Sequence, residues 1–199
     1  MKNIFVILGK SGCGKSTLVN SVCQQLGISN VVATTTRPIR QGELDGIDYY
    51  FVTDEEFQKG IQNNEFVQYS KFKTWFYGIE TYSLNICCND NLIIILNPKS
   101  YEMFSKNVSK ELYNIIPVFI QCNDRIRLQR ILNRDTDVDE VVRRYSADKI
   151  DFEGIEKKVI DQGGFIIDNS FESIDYALST LCLTIERYNG KVLNNYDYS

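Results

Sequence analysis

Histidine is absent from all 199 residues, and that absence removes whole classes of chemistry. Ser–His triads, histidine-bound zinc and imidazole general bases are excluded. Long apolar runs are also missing. The run from Leu92 to Leu96 falls far short of the ~20 residues a membrane span needs. The apolar start, Met1 to Leu8, ends at a glycine-rich loop rather than a small-residue cleavage site, so it makes a poor signal peptide. No excess of positive charge exists either. Twenty-two basic against 26 acidic side chains leave a net charge of −4, which argues against a dedicated nucleic-acid binder. Six cysteines are scattered without a Cys-x-x-Cys pair, as expected of free thiols in a reducing, cytoplasmic setting. With 43% hydrophobic and 24% charged residues the composition is that of an ordinary globular domain, not of a disordered or fibrous chain.

What is present reads as strands alternating with helices. Asn3 to Leu8 is a β-branched and aromatic run suited to a strand buried on both faces. Leu92–Leu96, Ile115–Ile120 and Phe165–Ile167 are further short apolar runs. Helical spacing covers Lys15 to Leu26, with Leu18, Val22 and Leu26 on one stripe, then Asp124–Leu132, Val138–Ile160 and Ser173–Tyr188. That alternation predicts an α/β fold, a parallel sheet with helices on both faces. Two segments interrupt it. Residues 34–82 hold turn signals and the aromatic runs Tyr49-Tyr50-Phe51 and Trp75-Phe76-Tyr77, and read as a small β-rich insert. Residues 130–144 are dense in arginine and aspartate, which suits either a solvated helix–turn or a mobile lid that carries arginines to a phosphate.

The strongest local signal is Gly9-Lys10-Ser11-Gly12-Cys13-Gly14-Lys15-Ser16, a match to G-x-x-x-x-G-K-[ST] placed between a strand and a helix. Glycines let backbone N–H groups wrap a phosphate at the positive end of the helix. Lys15 is expected on the β- and γ-phosphates, and Ser16 is expected to give Mg²⁺ an oxygen, with Thr17 beside it. Gly9, Ser11, Gly12, Cys13 and Gly14 complete the candidate ATP cradle.

The run Thr34-Thr35-Thr36-Arg37-Pro38-Ile39-Arg40-Gln41-Gly42-Glu43-Leu44-Asp45-Gly46-Ile47-Asp48-Tyr49 resembles the guanylate kinase signature. The resemblance continues through Phe51-Val52, Glu55-Glu56-Phe57, Asn64-Glu65-Phe66 and Tyr77-Gly78, and resumes at Arg130, Arg134, Thr136-Asp137 and Arg143-Arg144. It implies a phosphate-loop kinase core at 1–32, 83–129 and 145–199, a nucleotide-monophosphate-binding insert at 33–82 and a helical lid at 130–144. It also implies ATP and Mg²⁺, with a small-molecule nucleoside monophosphate as acceptor, (d)GMP in the family's usual reaction. Neither nucleic acid nor membrane is expected as a partner, and the state is monomer or homodimer. The resemblance assigns Arg37, Arg40, Tyr49 and Tyr77 to the acceptor phosphate, Glu43 to its surroundings, Arg130, Arg134 and Arg144 to the transferring phosphoryl, and Asn169 to the adenine of ATP. An anionic monophosphate oxygen needs no histidine base, so positioning and charge neutralisation carry the catalysis.

The base pocket departs from this pattern. Positions where the family has two hydroxyls and a glutamate carry Ala33, Ile79 and Gln68, and the acids after the next strand are replaced within Asn97-Pro98-Lys99. A glutamine offers one acceptor and one donor in place of two anionic oxygens. Three readings follow: a (d)GMP kinase in which neighbours such as Glu65, Tyr69 or Thr81 read guanine, the same transfer to a non-guanine or modified nucleotide, or a non-catalytic binding module.

Overall fold

The structure, a computed structural model, describes residues 1–40, 42–134, 137–171 and 173–188. Gln41, Asp135 and Thr136 of the expected motifs, and 189–199 of the expected core, lie outside the described residues. The described elements run β1 (Lys2–Leu8), α1 (Lys15–Leu26), β2 (Ser29–Asn30), β3 (Thr34–Thr35), β4 (Tyr50–Phe51), α2 (Asp54–Gln62), β5 (Phe66–Phe72), β6 (Trp75–Glu80) and α3 (Thr81–Asn85). They continue with β7 (Asn91–Ile95), α4 (Pro98–Asn107), β8 (Tyr113–Gln121), α5 (Asp124–Arg134), α6 (Val138–Asp151), α7 (Ile155–Asp161), β9 (Phe165–Asp168) and α8 (Asp175–Tyr188).

Among the described residues, one sheet is five-stranded in the order β2-β7-β1-β8-β9, and its pairings are all parallel. β1 is its middle strand, and its side chains alternate between two cores. Ile4, Val6 and Leu8 join one cluster with Leu92, Tyr101, Phe104 and Val159, on the side of α4 and α7. Phe5 and Ile7 join the other with Leu18, Val22, Leu181 and Ile185, on the side of α1 and α8. Layers on both faces explain why the strand is apolar throughout rather than alternating. The expected α/β class is therefore what forms, and the four apolar runs of the sequence are four strands of this sheet. The fifth, β2, is two partly buried residues, Ser29 and Asn30, at the edge.

A second sheet of four described strands has the order β4-β3-β6-β5. β3 runs parallel to β4 and antiparallel to β6, which pairs with β5 in a hairpin. Three features correct the sequence reading. The β-rich segment contains a helix, α2, which packs Phe57 against Phe66 and Phe76 at 4.3 and 5.3 Å between ring centroids. The helical stretch expected from Val138 to Ile160 is two helices, because Phe152 ends α6 and Gly154, at φ 69°, starts α7 from a left-handed conformation that side chains disfavour. The expectation also lacked α4, which Asn97 caps by accepting from the Ser100 N–H.

The sequence around α2 encodes its start. Thr53 accepts from the Glu56 N–H, and Glu56 accepts in return from the Thr53 N–H at 2.8 Å, a reciprocal capping box. Thr53→Ala should therefore lower stability by about 1 kcal/mol, read as a shifted urea midpoint with an unchanged slope.

Candidate active site

The phosphate loop leaves the C-terminal end of the middle strand, where open α/β sheets hold their ligands. Lys15 opens α1, and its Nζ donates to the carbonyls of Gly9 at 2.7 Å and Lys10 at 3.0 Å. Ser16 and Thr17 follow, both exposed. Gly12, Gly14, Lys15, Ser16 and Thr17 line one cavity of about 280 Å³ together with Arg130 and Arg134 of α5. Gly12 is held against α5 so closely that a Cβ would lie 2.4 Å from the Arg127 carbonyl, and its φ is +77°. Two independent constraints thus require glycine there. Cys13 is buried beneath the loop, and its carbonyl accepts from Asn169 Nδ2 at 2.9 Å. Asn169 is itself buried, and its Oδ1 has no hydrogen-bond partner among the described residues. Its backbone carbonyl accepts from Arg130 at 3.3 Å.

Behind the loop lies a buried charge cluster. Arg127 is fully buried. Its guanidinium donates to Asp124 at 2.6 Å, to Asp148 at 2.9 Å and to the Ser11 carbonyl at 3.2 Å. Its Cζ also sits 4.6 Å from the ring centroid of Tyr145, whose hydroxyl donates to Asp124 at 2.7 Å. Asp148 accepts in turn from the Ser11 N–H at 2.8 Å and the Ser11 hydroxyl at 3.3 Å. One arginine and one aspartate, from α5 and α6, hold Ser11 by its carbonyl, its N–H and its side chain.

A second group gathers on the insert. Arg37, 4% exposed, donates to Glu43 at 2.8 Å and lies over Tyr49, 5.4 Å from the ring centroid. Glu43 also accepts from the Arg40 N–H at 2.8 Å, and the Arg37 guanidinium holds its carboxyl below the usual range. The Arg40 side chain is exposed. Tyr49 and Tyr77 meet edge to face at 6.0 Å, and burial pushes the Tyr49 phenol up, so it stays a proton donor at neutral pH. Both tyrosines border a cavity of about 260 Å³ that also contains Ala33, Gln68, Ser70, Ile79, Asn97 and Ser100. The altered positions Ala33, Gln68 and Ile79 therefore share one pocket.

Other expected residues lie elsewhere. Glu65, Tyr69 and Thr81 do not line the cavity, and Glu65 is exposed and bonded to Asn63. Of Asn97-Pro98-Lys99, only Asn97 lines it; Lys99 is exposed and pairs with Asp151 at 3.2 Å. Arg144 does not line the phosphate-loop cavity. Its Nε donates to Glu140 at 2.9 Å, and Arg143 grips the same carboxylate with two bonds of 2.7 Å. Lys73, in the β5–β6 turn, approaches Glu140 at 3.6 Å.

The guanylate kinase family model matches residues 1–186. The chain belongs to the guanylate kinase family. It is 34% identical to the guanylate kinase of Helicobacter hepaticus over 140 residues, which span 67% of this chain and 68% of that one. It is 29% identical to the guanylate kinase of Sulfurimonas denitrificans across 96% of this chain and 91% of that one. The crystal structure of guanylate kinase from Anaplasma phagocytophilum shares its fold, with a TM-score of 0.69, 21% identity and coverage of 94% of this chain and 86% of that one. Within this guanylate kinase family chain, sequence reading missed Arg127, Asp124, Asp148, Ser70 and Ser100. The signal available for Arg127 was helical spacing alone: it sits three residues after Asp124 and three before Arg130.

Removing Asp148 leaves Arg127 with Asp124 alone and takes the acceptor from the Ser11 N–H, so Asp148→Ala should cost about 1–3 kcal/mol in chemical denaturation. The cluster also fixes an acid dependence. Arg127, then Tyr145, holds the Asp124 carboxyl below its usual range, and Arg143 and Arg144 do the same for Glu140. A depressed folded pKa contributes stability above the ordinary carboxyl value of about 4, and that contribution is lost as pH falls from there through the lowered folded value. The melting temperature should drop as pH is lowered below about 5, and the drop should be shallower in Asp124→Asn.

Proposed function

We propose that this chain is an ATP-dependent nucleoside monophosphate kinase that transfers the ATP γ-phosphoryl to (d)GMP, giving (d)GDP and ADP. The observation that carries this reading is one cavity lined by Lys15, Ser16, Arg130 and Arg134, in a chain whose relatives are named guanylate kinases. On the donor side, loop N–H groups and Lys15 hold the β- and γ-phosphates of ATP. Among the described residues the Lys15 ammonium bonds carbonyls and a thiol of its own loop, contacts that phosphate oxygens replace with stronger, charge-assisted ones. Arg130 and Arg134, four residues apart on α5, face the same space and neutralise charge on the transferring group. Asn169 braces the loop on the adenine side.

On the acceptor side, Arg37, Arg40, Tyr49 and Tyr77 grip the monophosphate, and Glu43 orients Arg37. The attacking oxygen is already anionic. It displaces ADP in line, and no proton has to be removed by a base, which agrees with a chain that has no histidine. Arg144 and Arg143 complete the lid when Glu140 releases them to phosphate.

Mg²⁺ fits this donor set as a companion of ATP. Among the described residues no group of three or more His, Cys, Asp or Glu side chains is placed to hold a metal. The protein offers the hard Ser16 hydroxyl oxygen, and Mg²⁺ commonly takes few protein ligands beside phosphates and water. Bound there, it would neutralise charge on the β- and γ-phosphates. A cytoplasmic site of action agrees with six free cysteines, and no described helix is long and apolar enough to cross a membrane. The working unit is a monomer or homodimer. A non-catalytic module would have no need of the intact Lys15–Ser16 pair.

A coupled ADP-release assay with ATP, Mg²⁺ and GMP tests the reading. Turnover is expected, and Lys15→Ala should lower kcat by about a hundredfold or more while the circular dichroism spectrum stays unchanged. Equal turnover by Lys15→Ala would refute the ATP site.

A further inference from the structure

The pocket beside the acceptor clamp is built around an amide that is fixed from two directions. β5 and β6 pair in regular register except between Phe66 and Gln68, where a bulge inserts Val67. Bulges re-aim the side chain that follows them. Here Val67 enters the main core and Gln68, 3% exposed, borders the cavity. α4 supports both residues. Asn107 Nδ2 donates to the Val67 carbonyl at 2.9 Å, and Ser100 Oγ accepts from Gln68 Nε2 at 2.9 Å. Ser100 is held in place by its own N–H, which donates to Asn97 Oδ1 at 2.8 Å. With one N–H of its nitrogen held by Ser100, the Gln68 amide is turned so that its carbonyl oxygen is left for a ligand.

The rest of the lining adds no charge. Ala33, Ile79, Ile95 and Leu96 are apolar, Ser70 is a neutral hydroxyl, and none of the described residues bordering the cavity is acidic. Glu80, the acid next to Ile79, is occupied by the Thr34 hydroxyl at 2.5 Å.

We infer that Gln68, aimed by the bulge and oriented by Ser100, reads the acceptor base through a single neutral carbonyl, so that the pocket takes 6-oxopurine monophosphates as a class, IMP as well as GMP. This rests on the guanylate kinase reading above. The N1–H that a carbonyl can accept is common to guanine and hypoxanthine. The 2-amino group that separates them meets no carboxylate oxygen, and neutral hydrogen bonds are about half as strong as charge-assisted ones. Adenine is rejected on the same geometry, because its N1 is an acceptor and would face the Gln68 oxygen. Ser100 is a positioning residue: it acts on the base through Gln68.

The test is kcat/KM of the full chain for GMP, IMP and AMP, with direct calorimetric binding of GMP and IMP to the unsubstituted protein. The expected preference for GMP over IMP is about tenfold or less, the worth of one neutral hydrogen bond. Gln68→Glu, which puts two anionic acceptors in place of one neutral one, should raise that ratio about tenfold. Ser100→Ala frees the amide to turn, so discrimination against AMP should fall while KM for ATP holds. A purely structural Ser100 would not move that base ratio. GMP turnover with a GMP:IMP ratio above about a hundredfold, or ratios unchanged in both variants, would overturn this inference and leave the kinase reading standing. No turnover or binding of either 6-oxopurine would overturn both.

Discussion

A fully buried arginine has to be neutralised by the protein, and here the groups that neutralise Arg127 are the same ones that shape the phosphate loop. Asp148 cannot accept from Arg127 without also meeting Ser11, because its carboxylate serves both. The Arg127 carbonyl in turn sits 2.4 Å from where a Cβ at residue 12 would be. The loop is therefore pressed from outside by α5 and tied by α6, while its inner face opens to the cavity. Such clusters are weak evidence for stability, since desolvation offsets most of their attraction. Their value here is geometric: they fix a loop whose glycines supply no side-chain packing of their own, and they join the helices that carry Arg130 and Arg144 to that loop.

The same electrostatic logic recurs at the other cationic positions. A site meant for two phosphorylated ligands concentrates arginine, and like charges in a shared cavity repel when no phosphate is near. Arg37 is held by Glu43, and Arg143 and Arg144 by Glu140. Each carboxylate is matched to its arginine closely enough to give defined side-chain geometry. The Glu140 pairs are also partly solvated, with Arg143 42% and Arg144 28% exposed, and such pairs are worth little. Arg127 differs from them in this respect. It is sealed from solvent, as Arg37 nearly is, whereas Arg143 and Arg144 stay partly exposed.

How much of this was legible in the sequence depends on how local the information is. The phosphate loop is eight consecutive residues, with a strand signal before it and a helix signal after it, so it could be read directly. Strands buried on both faces announce themselves as apolar runs. β2 does not, because Ser29 and Asn30 form an edge of two residues with no apolar pattern to detect. α2 was hidden by surrounding aromatics, although Thr53 and Glu56 at capping-box spacing mark its start. The break between α6 and α7 rests on one left-handed glycine inside a stretch with helical spacing. Arg127 and Asp148 could not be recognised, since burial of a charged pair across two helices depends on tertiary packing. Ser100 belongs with them: it stands 32 residues from the amide it orients.

That distance shows how the two halves of the acceptor site are built on different principles. The proposed phosphate clamp draws on Arg37, Arg40 and Glu43 within one short loop, with Tyr49 just before β4 and Tyr77 on β6, so its chemistry is written in short motifs. The base pocket is assembled between sheets. Gln68 comes from the hairpin of the second sheet, and Ser100 and Asn97 come from the helix that follows β7 of the first. Because α4 packs directly on β5, the position of one sheet on the other sets the hydrogen bond that orients the amide. A shift of about 1 Å between them would take that 2.9 Å contact out of hydrogen-bond range, while the arginine–carboxylate contacts of the clamp, made within one loop, would persist. On the proposed assignment, phosphate affinity and base selectivity are consequently separable, and selectivity is the one that depends on the packing of the whole molecule.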